Sequence, residues 1–515
     1  MSAILAVMIA MKKRTMKYQL ASILIIIGLF SGRVWGTEEE RTSDPRIHSV
    51  EFGLLPLAST KEHMGETVGV RERMRDFGTP GLSVAVIEGG RLAWAHGYGI
   101  ADSKSHRPVT AETLFQAASI SKPLTALGAL ALVQKGRLNL DQDVNQYLKS
   151  WKLPENQFTQ THKVTLRLLL SHTAGVTDID FPSRGPNDPL PTLVQILNGA
   201  PVAKNKPITI DAVPGDHHLY SRAGYDITQQ LLMDVSAEPF EEFMQTVVLD
   251  PLGMMRSSFR QPLPASLLRT AATPHLAGGT RILEGLHTPE MAMAGLWSTP
   301  SDLAQYLISI QRTLSGSNDG LVGRQLTKDM LTPQKGYHGL GPIISGEGET
   351  VRFGHDGFNE GFISSMVGYE KFGQGAVVMA NSGFSFMLIK EVLDSIARAY
   401  KWQNYDFTNM QPPDASLPQQ EVIKVPQTLI KASIGQYRLD EEDTFRIFEK
   451  KQHLFIDWPG EGEAEIFATP SGRMFCASLP FGSPWLTFVR ANRGKKIVTK
   501  ILAAHDGRQA FLRVK

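Results

Sequence analysis

The sequence predicts an α/β fold: an antiparallel sheet flanked by helices with a helical region set into it, followed by a C-terminal all-β, barrel-like module. Three observations predict it. An early and a late hairpin pattern match each other, the stretch between them is mostly helical in period, and beyond a Pro-rich segment only short, turn-separated β runs recur. The chain has 515 residues, 42% hydrophobic and 20% charged, a composition that excludes disordered and fibrous classes.

The first element is a leader. Lys12, Lys13, Arg14 and Lys17 precede an apolar run over 20–30, and Val34-Trp35-Gly36 offers small residues for cleavage. This predicts a signal peptide over 1–36, cut after Gly36, and a periplasmic or secreted protein, with an uncleaved membrane anchor as the alternative. Five basic residues (Lys12, Lys13, Arg14, Lys17, Arg33) and no acidic one lie in this leader, so the net +2 of the whole chain becomes −3 for the remainder. A nucleic-acid partner is thereby excluded. Cys476 is the single cysteine, which rules out an intrachain disulfide and a cysteine metal cluster.

A first folded domain is expected over 48–402. Residues 82–86 and 92–98 alternate around Glu88-Gly89-Gly90 and read as a hairpin. Residues 362–369 and 376–380 flank Lys371-Phe372-Gly373-Gln374-Gly375 and read as a second, with a helix over 386–401 behind it. Between them, helices are expected over 119–134, 166–171, 225–235, 240–249 and 301–310. Gln411-Pro412-Pro413-Asp414-Ala415-Ser416-Leu417-Pro418 marks a linker over 403–420. From 421 to 515, β runs at 445–448, 453–458, 485–489, 497–501 and 510–514 make the all-β module, expected to cap a cleft or mediate self-association, with a passive stabilising role as the alternative.

The chemistry starts at Ser119-Ile120-Ser121-Lys122. A spacing of three puts Ser119 and Lys122 on one helix face, and Pro123 suits a first helical turn. A serine hydroxyl needs a neighbouring base to become a nucleophile, and a partly desolvated lysine is neutral enough to be one. The helix N-terminus adds partial positive charge where an oxyanion forms. Two further elements follow: Tyr220-Ser221-Arg222 in a polar turn opening a helix, and His355-Asp356-Gly357 just before the late hairpin.

With these three, Leu170-Ser171-His172-Thr173-Ala174-Gly175 and Gly295-Leu296-Trp297-Ser298-Thr299-Pro300-Ser301-Asp302-Leu303 complete an ordered set over about residues 70–400. In these stretches the chain resembles the serine β-lactamase and penicillin-binding-protein superfamily, on its class C β-lactamase-like branch with esterases and D-amino-acid peptidases. The resemblance implies Ser119 as the acylated nucleophile, Lys122 as its proton partner, and Tyr220 as the base that later becomes an acid. It implies an oxyanion held by the backbone N–H groups of Ser119 and Phe358, with Arg222, His355 and Gly357 also on the substrate. No metal and no cofactor is implied. The partner is a small molecule or peptide: a β-lactam, an ester or a D-amino-acid peptide.

Two departures bear on the substrate. Arg222 stands where the branch has an Asn, and His355 where the wider group has a Lys. A histidine is mostly neutral near pH 7, so a strict demand for a substrate carboxylate is disfavoured. Arg222 restores that charge if it points into the cleft and leaves it lost if it faces solvent. The same departures leave an alternative reading, a catalytically weak binder of penicillin or cell-wall peptide. His172 is expected to be structural, and Trp297, Phe358 and Phe362 to pack. His217 and His218 are expected to point opposite ways and so make poor joint ligands.

Overall fold

The computed structural model describes residues 44–513 apart from 60, 179–188, 277–280, 283–286, 318–319, 384, 406–419, 439–443, 459–461, 470–473, 477–484, 491–497 and 504–508. The leader and the segment 411–418 lie outside the described residues. Contacts divide the chain after His48, and the unit from Ser49 onward carries everything that follows.

The early hairpin consists of β1 (Gly81–Glu88) and β2 (Arg91–Asp102). Gly89 and Gly90 join them with φ of +57° and +67°, a pair of positive angles that follows the strand twist and that glycine adopts without strain. Three shorter or later strands are β3 (Arg107–Pro108), β4 (Ile343–Ser345) and β5 (Arg352–Asn359), and the late hairpin is β6 (Phe362–Tyr369) and β7 (Gly375–Ala380). The sheet order is β3-β2-β1-β7-β6-β5-β4. The two hairpins meet at its centre, where Ala380 lies opposite Leu82 and Gly375 opposite Ile87.

β5 extends the sequence reading: His355-Asp356-Gly357 lie just ahead of the late hairpin, as expected, but inside a further strand of the same sheet. The run Arg352-Phe353-Gly354-His355-Asp356-Gly357 has two glycines and no β-branched residue, so its own strand preference is weak. Antiparallel pairing with β6, Asp356 opposite Ser365, overrides that preference.

The helices that place the site are α1 (Val70–Asp76), α2 (Ser121–Gln134), α3 (Leu166–Leu170), α4 (Ala223–Ser236), α5 (Met291–Ala294), α6 (Pro300–Ser315) and α7 (Phe386–Ala399). α2 begins two residues later than its period suggests, behind a tight 3₁₀ turn over Ala118–Ile120. It is apolar almost all round and accordingly central: 12 of its 14 residues are buried, Lys122 among them. The segment 240–249 is an α turn that continues as a π turn over Gln245–Leu249. α6 opens at Thr299, whose side chain accepts from Asp302 N–H, with Pro300 in the first turn. Its Leu303 and Leu307 join Ala85, Ile87, Val377, Met379, Phe353 and Met366 in one core. The buried Leu388, Ile389, Val392 and Leu393 of α7 lie outside that core, on the sheet's other face.

The C-terminal module is a closed barrel of eight strands: β8 (Gly435–Arg438), β9 (Thr444–Lys450), β10 (His453–Trp458), β11 (Gly462–Ala468), β12 (Met474–Phe475), β13 (Trp485–Arg490), β14 (Val498–Ala503) and β15 (Gln509–Arg513). Pairing of β8 with β15 closes it. In β9, β10 and β11 alternate residues are buried, Phe445 and Ile447, Leu454 and Ile456, and Ala464 and Ile466, the period expected of an inward face. A strap leads into it: Gln420 and Glu421 pair in parallel with Ala58 and Ser59, and Ile423 bridges to Ala468 of β11. Among the described residues no helix is long and apolar enough to cross a membrane.

Candidate active site

Ser119 sits in the 3₁₀ turn, half-buried, directly after Ala118, whose φ of +49° is a left-handed conformation that costs a non-glycine residue strain. The turn is held from three sides. Ala117 N–H donates to the Leu296 carbonyl at 2.8 Å, Leu296 N–H donates to Ser121 Oγ at 3.0 Å, and Ser364 Oγ donates to the Ala117 carbonyl at 2.9 Å. β5 crosses so closely that a Cβ on Gly357 would lie 2.1 Å from the Ala117 oxygen, so only glycine fits there. β4 pairs with β5 no further than Gly354, which leaves one edge of 355–359 facing this turn rather than a strand. The Phe358 N–H belongs to that stretch.

Lys122 is fully buried, and its Nζ donates to Ser119 Oγ and to the Met293 carbonyl, each at 2.9 Å. Its amine lies 5.1 Å from the Tyr220 ring centre and 5.7 Å from that of Tyr225. Burial lowers its pKa to about 7, against an opposing pull from Asp226. A large neutral fraction therefore exists near pH 7, and a neutral amine at this distance can take the serine proton. Tyr220 Oη donates to Ser119 Oγ at 3.2 Å. Burial pushes this phenol up to about 12, so it rests protonated and suits a proton donor more than a standing base.

The structure therefore brings Ser119, Lys122 and Tyr220 together, with His355 and Gly357 beside them on β5. His355 is 3% exposed, its ring 6.4 Å from that of Tyr220, and burial with the nearby Lys122 lowers its pKa to about 3. It is uncharged. Arg222 carries a backbone and a two-pronged side-chain contact to Asp178, with Nη2 at 3.0 Å from Oδ2, in a pair about one-third exposed. The Phe358 side chain alternates with Gly357 to the opposite face of the sheet, 42% exposed and 5.5 Å from the Phe386 ring. Trp297 and Phe362 pack, both buried, 5.6 Å apart.

Several neighbours escape the sequence reading. His172, read as structural, accepts the Ser221 N–H on Nδ1 at 3.1 Å and stacks on Tyr220 at 4.3 Å, which fixes the tyrosine's ring. His338 is buried at the centre of a ring cluster: 4.7 Å from His172, 5.9 Å from His355, and joined to His218 by a 2.8 Å contact between Nδ1 and Nε2. His217 is exposed while His218 turns inward. Burial holds His172 and His338 well below the imidazole range. Behind Lys122, Asp226 is fully buried, with no hydrogen-bond partner for either oxygen among the described residues. Burial and then the adjacent Glu290 raise its pKa well above the carboxylate range. No local pattern marks His338, Asp178 or Asp226; tertiary packing alone assembles them.

The Beta-lactamase family model matches residues 70–399. Protein flp of Staphylococcus aureus (strain N315) is 28% identical over 225 residues, covering 43% of this chain and 42% of that protein, so the chain spans about two fifths of that relative's length. Penicillin-binding protein 4* of Bacillus subtilis (strain 168) is 22% identical over 433 residues, covering 77% of this chain and 88% of the relative. The D-amino acid amidase of Ochrobactrum anthropi SV3, solved with L-phenylalanine amide, aligns with a TM-score of 0.55 at 20% identity, covering 70% of this chain and 99% of that one. The matched segment contains every residue of the cluster, and the chain belongs to the beta-lactamase family, within the serine β-lactamase and penicillin-binding-protein superfamily.

Proposed function

We propose that this protein is an exported serine hydrolase that cleaves an ester or amide, β-lactams and D-amino-acid peptides included, through an acyl-enzyme on Ser119. One observation carries the reading: Lys122 Nζ at 2.9 Å and Tyr220 Oη at 3.2 Å converge on the same Ser119 oxygen. Neutral Lys122 takes the serine proton as Oγ attacks the carbonyl carbon. The backbone N–H groups of Ser119 and Phe358 receive the oxyanion. As the C–N or C–O bond breaks, Tyr220 gives its proton to the leaving group and recovers one from protonated Lys122. Water then attacks the acyl group, which leaves as the acid while Ser119 regains its proton. The relatives named a penicillin-binding protein and a D-amino acid amidase support this range of substrates. The same proposal assigns 1–36 to a cleaved leader, 48–402 to the hydrolase domain, 403–420 to a linker and 421–515 to the β module.

The test is labelling with a fluorescent phosphonate, comparing wild type with Ser119→Ala, alongside turnover of nitrocefin and a p-nitrophenyl ester. Loss of label in the variant with sustained wild-type turnover supports the reading. A single stoichiometric burst favours the binder, and equal labelling of both proteins removes Ser119 from the nucleophile's place.

A further inference from the structure

The His355 ring has one nitrogen whose role is settled by its partner. Nδ1 lies 2.5 Å from the Asp356 carbonyl oxygen, and a carbonyl only accepts, so the ring proton is on Nδ1. Nε2 then carries a lone pair. It is buried and has no hydrogen-bond partner among the described residues. The groups around the ring do not favour a second proton there: Lys122 from α2, Tyr220 ahead of α4, and His338, itself neutral. The Asp356 carboxyl alternates to the other face of β5, on the side of Ser365. The guanidinium of Arg222 is engaged by Asp178.

A buried acceptor without a donor is unfavourable, and a ligand that supplies the donor removes the penalty. A carboxylate supplies only acceptors and would face that lone pair with repulsion. We propose that His355 Nε2 accepts a hydrogen bond from the substrate, so that the site selects a neutral N–H donor, a carboxamide, over a carboxylate in the same place. This rests on the acyl-enzyme reading above and names its substrate class. It also gives the His-for-Lys exchange a positive role: the strand offers an acceptor where a lysine would offer a cation.

Two matched pairs of esters test it, one varied on each side of the scissile bond. On the leaving side the pair is m-carbamoylphenyl and m-carboxyphenyl acetate; on the acyl side it is the p-nitrophenyl esters of succinamic acid and of monoanionic succinic acid. In at least one pair the carboxamide is expected to exceed the carboxylate in kcat/KM by about tenfold or more in wild type. His355→Phe, which keeps a flat ring and lacks the acceptor, is expected to collapse that ratio toward one, and His355→Lys to invert it. Phosphonate labelling of Ser119 in each variant verifies that the site is folded. Ratios near one in both pairs, a preference for carboxylate, or a ratio unchanged in His355→Phe overturns the inference. Absence of both labelling and ester turnover in wild type instead overturns the acyl-enzyme reading.

Discussion

Lys122 Nζ stands 2.9 Å from Ser119 Oγ and the same distance from the carbonyl oxygen of Met293, so one short α5 turn aims the amine at the hydroxyl. With its pKa lowered to about 7, the neutral base accumulates as pH rises through that value. The rate at which the phosphonate phosphonylates Ser119, with expulsion of its leaving group, should rise across pH 6–8 with an apparent pKa near 7 and then level. Lys122→Arg, always charged, should lower it by roughly 100- to 10,000-fold. A flat profile would remove Lys122 from the base's role.

Tyr220 rests as a phenol on Ser119 Oγ, and its worth depends on the leaving group. Tyr220→Phe should cost about 100-fold or more in kcat on an amide or alkyl ester, whose leaving group needs a proton, and far less on a p-nitrophenyl ester, whose leaving group departs as the anion. Equal losses on both would exclude proton donation as its function.

Gly357→Ala would set a methyl group 2.1 Å from the Ala117 oxygen. β5 must move away from the Ser119 turn. A displacement of this kind should lower kcat by about 100-fold while the circular dichroism spectrum and barrel remain intact.

Neutral burial of histidines makes the fold acid-labile. In the unfolded chain His172, His338 and His355 bind protons below about pH 6.5. The folded chain refuses them, His355 down to about 3, so stability is full above the imidazole range and falls as pH drops beneath it. Each contributes up to about 1.4 kcal/mol per pH unit in that window. Urea unfolding at pH 7, 6 and 5 should show the slope, and His338→Phe should flatten it.

What was legible in the sequence was what is local. The spacing of Ser119 and Lys122 puts them on one helix face without making them a site, Gly89-Gly90 marks the early hairpin, and the apolar run of α2 explains why its lysine is buried. Tyr220 and His355 are 135 positions apart, and only their order among family-like stretches tied them to Ser119. β5 was hidden because the glycines that let it approach Ala117 weaken its strand signal. His218 and His338 meet across 120 positions, and Arg222 finds Asp178 across 44, contacts that no period or motif encodes.

The strap at 420–423 has a consequence for rearranging this protein. Its first two residues are stitched to Ala58 and Ser59 and its last to Ala468, so the seam leading into the barrel is sewn from two distant stretches of chain. A barrel exchanged between homologues at the Pro-rich segment would carry one half of that seam and leave the other behind. The transferable cassette is 420–515 together with residues 58–59, and chimeras that respect both margins should fold where those cut at 411–418 alone leave an orphaned edge.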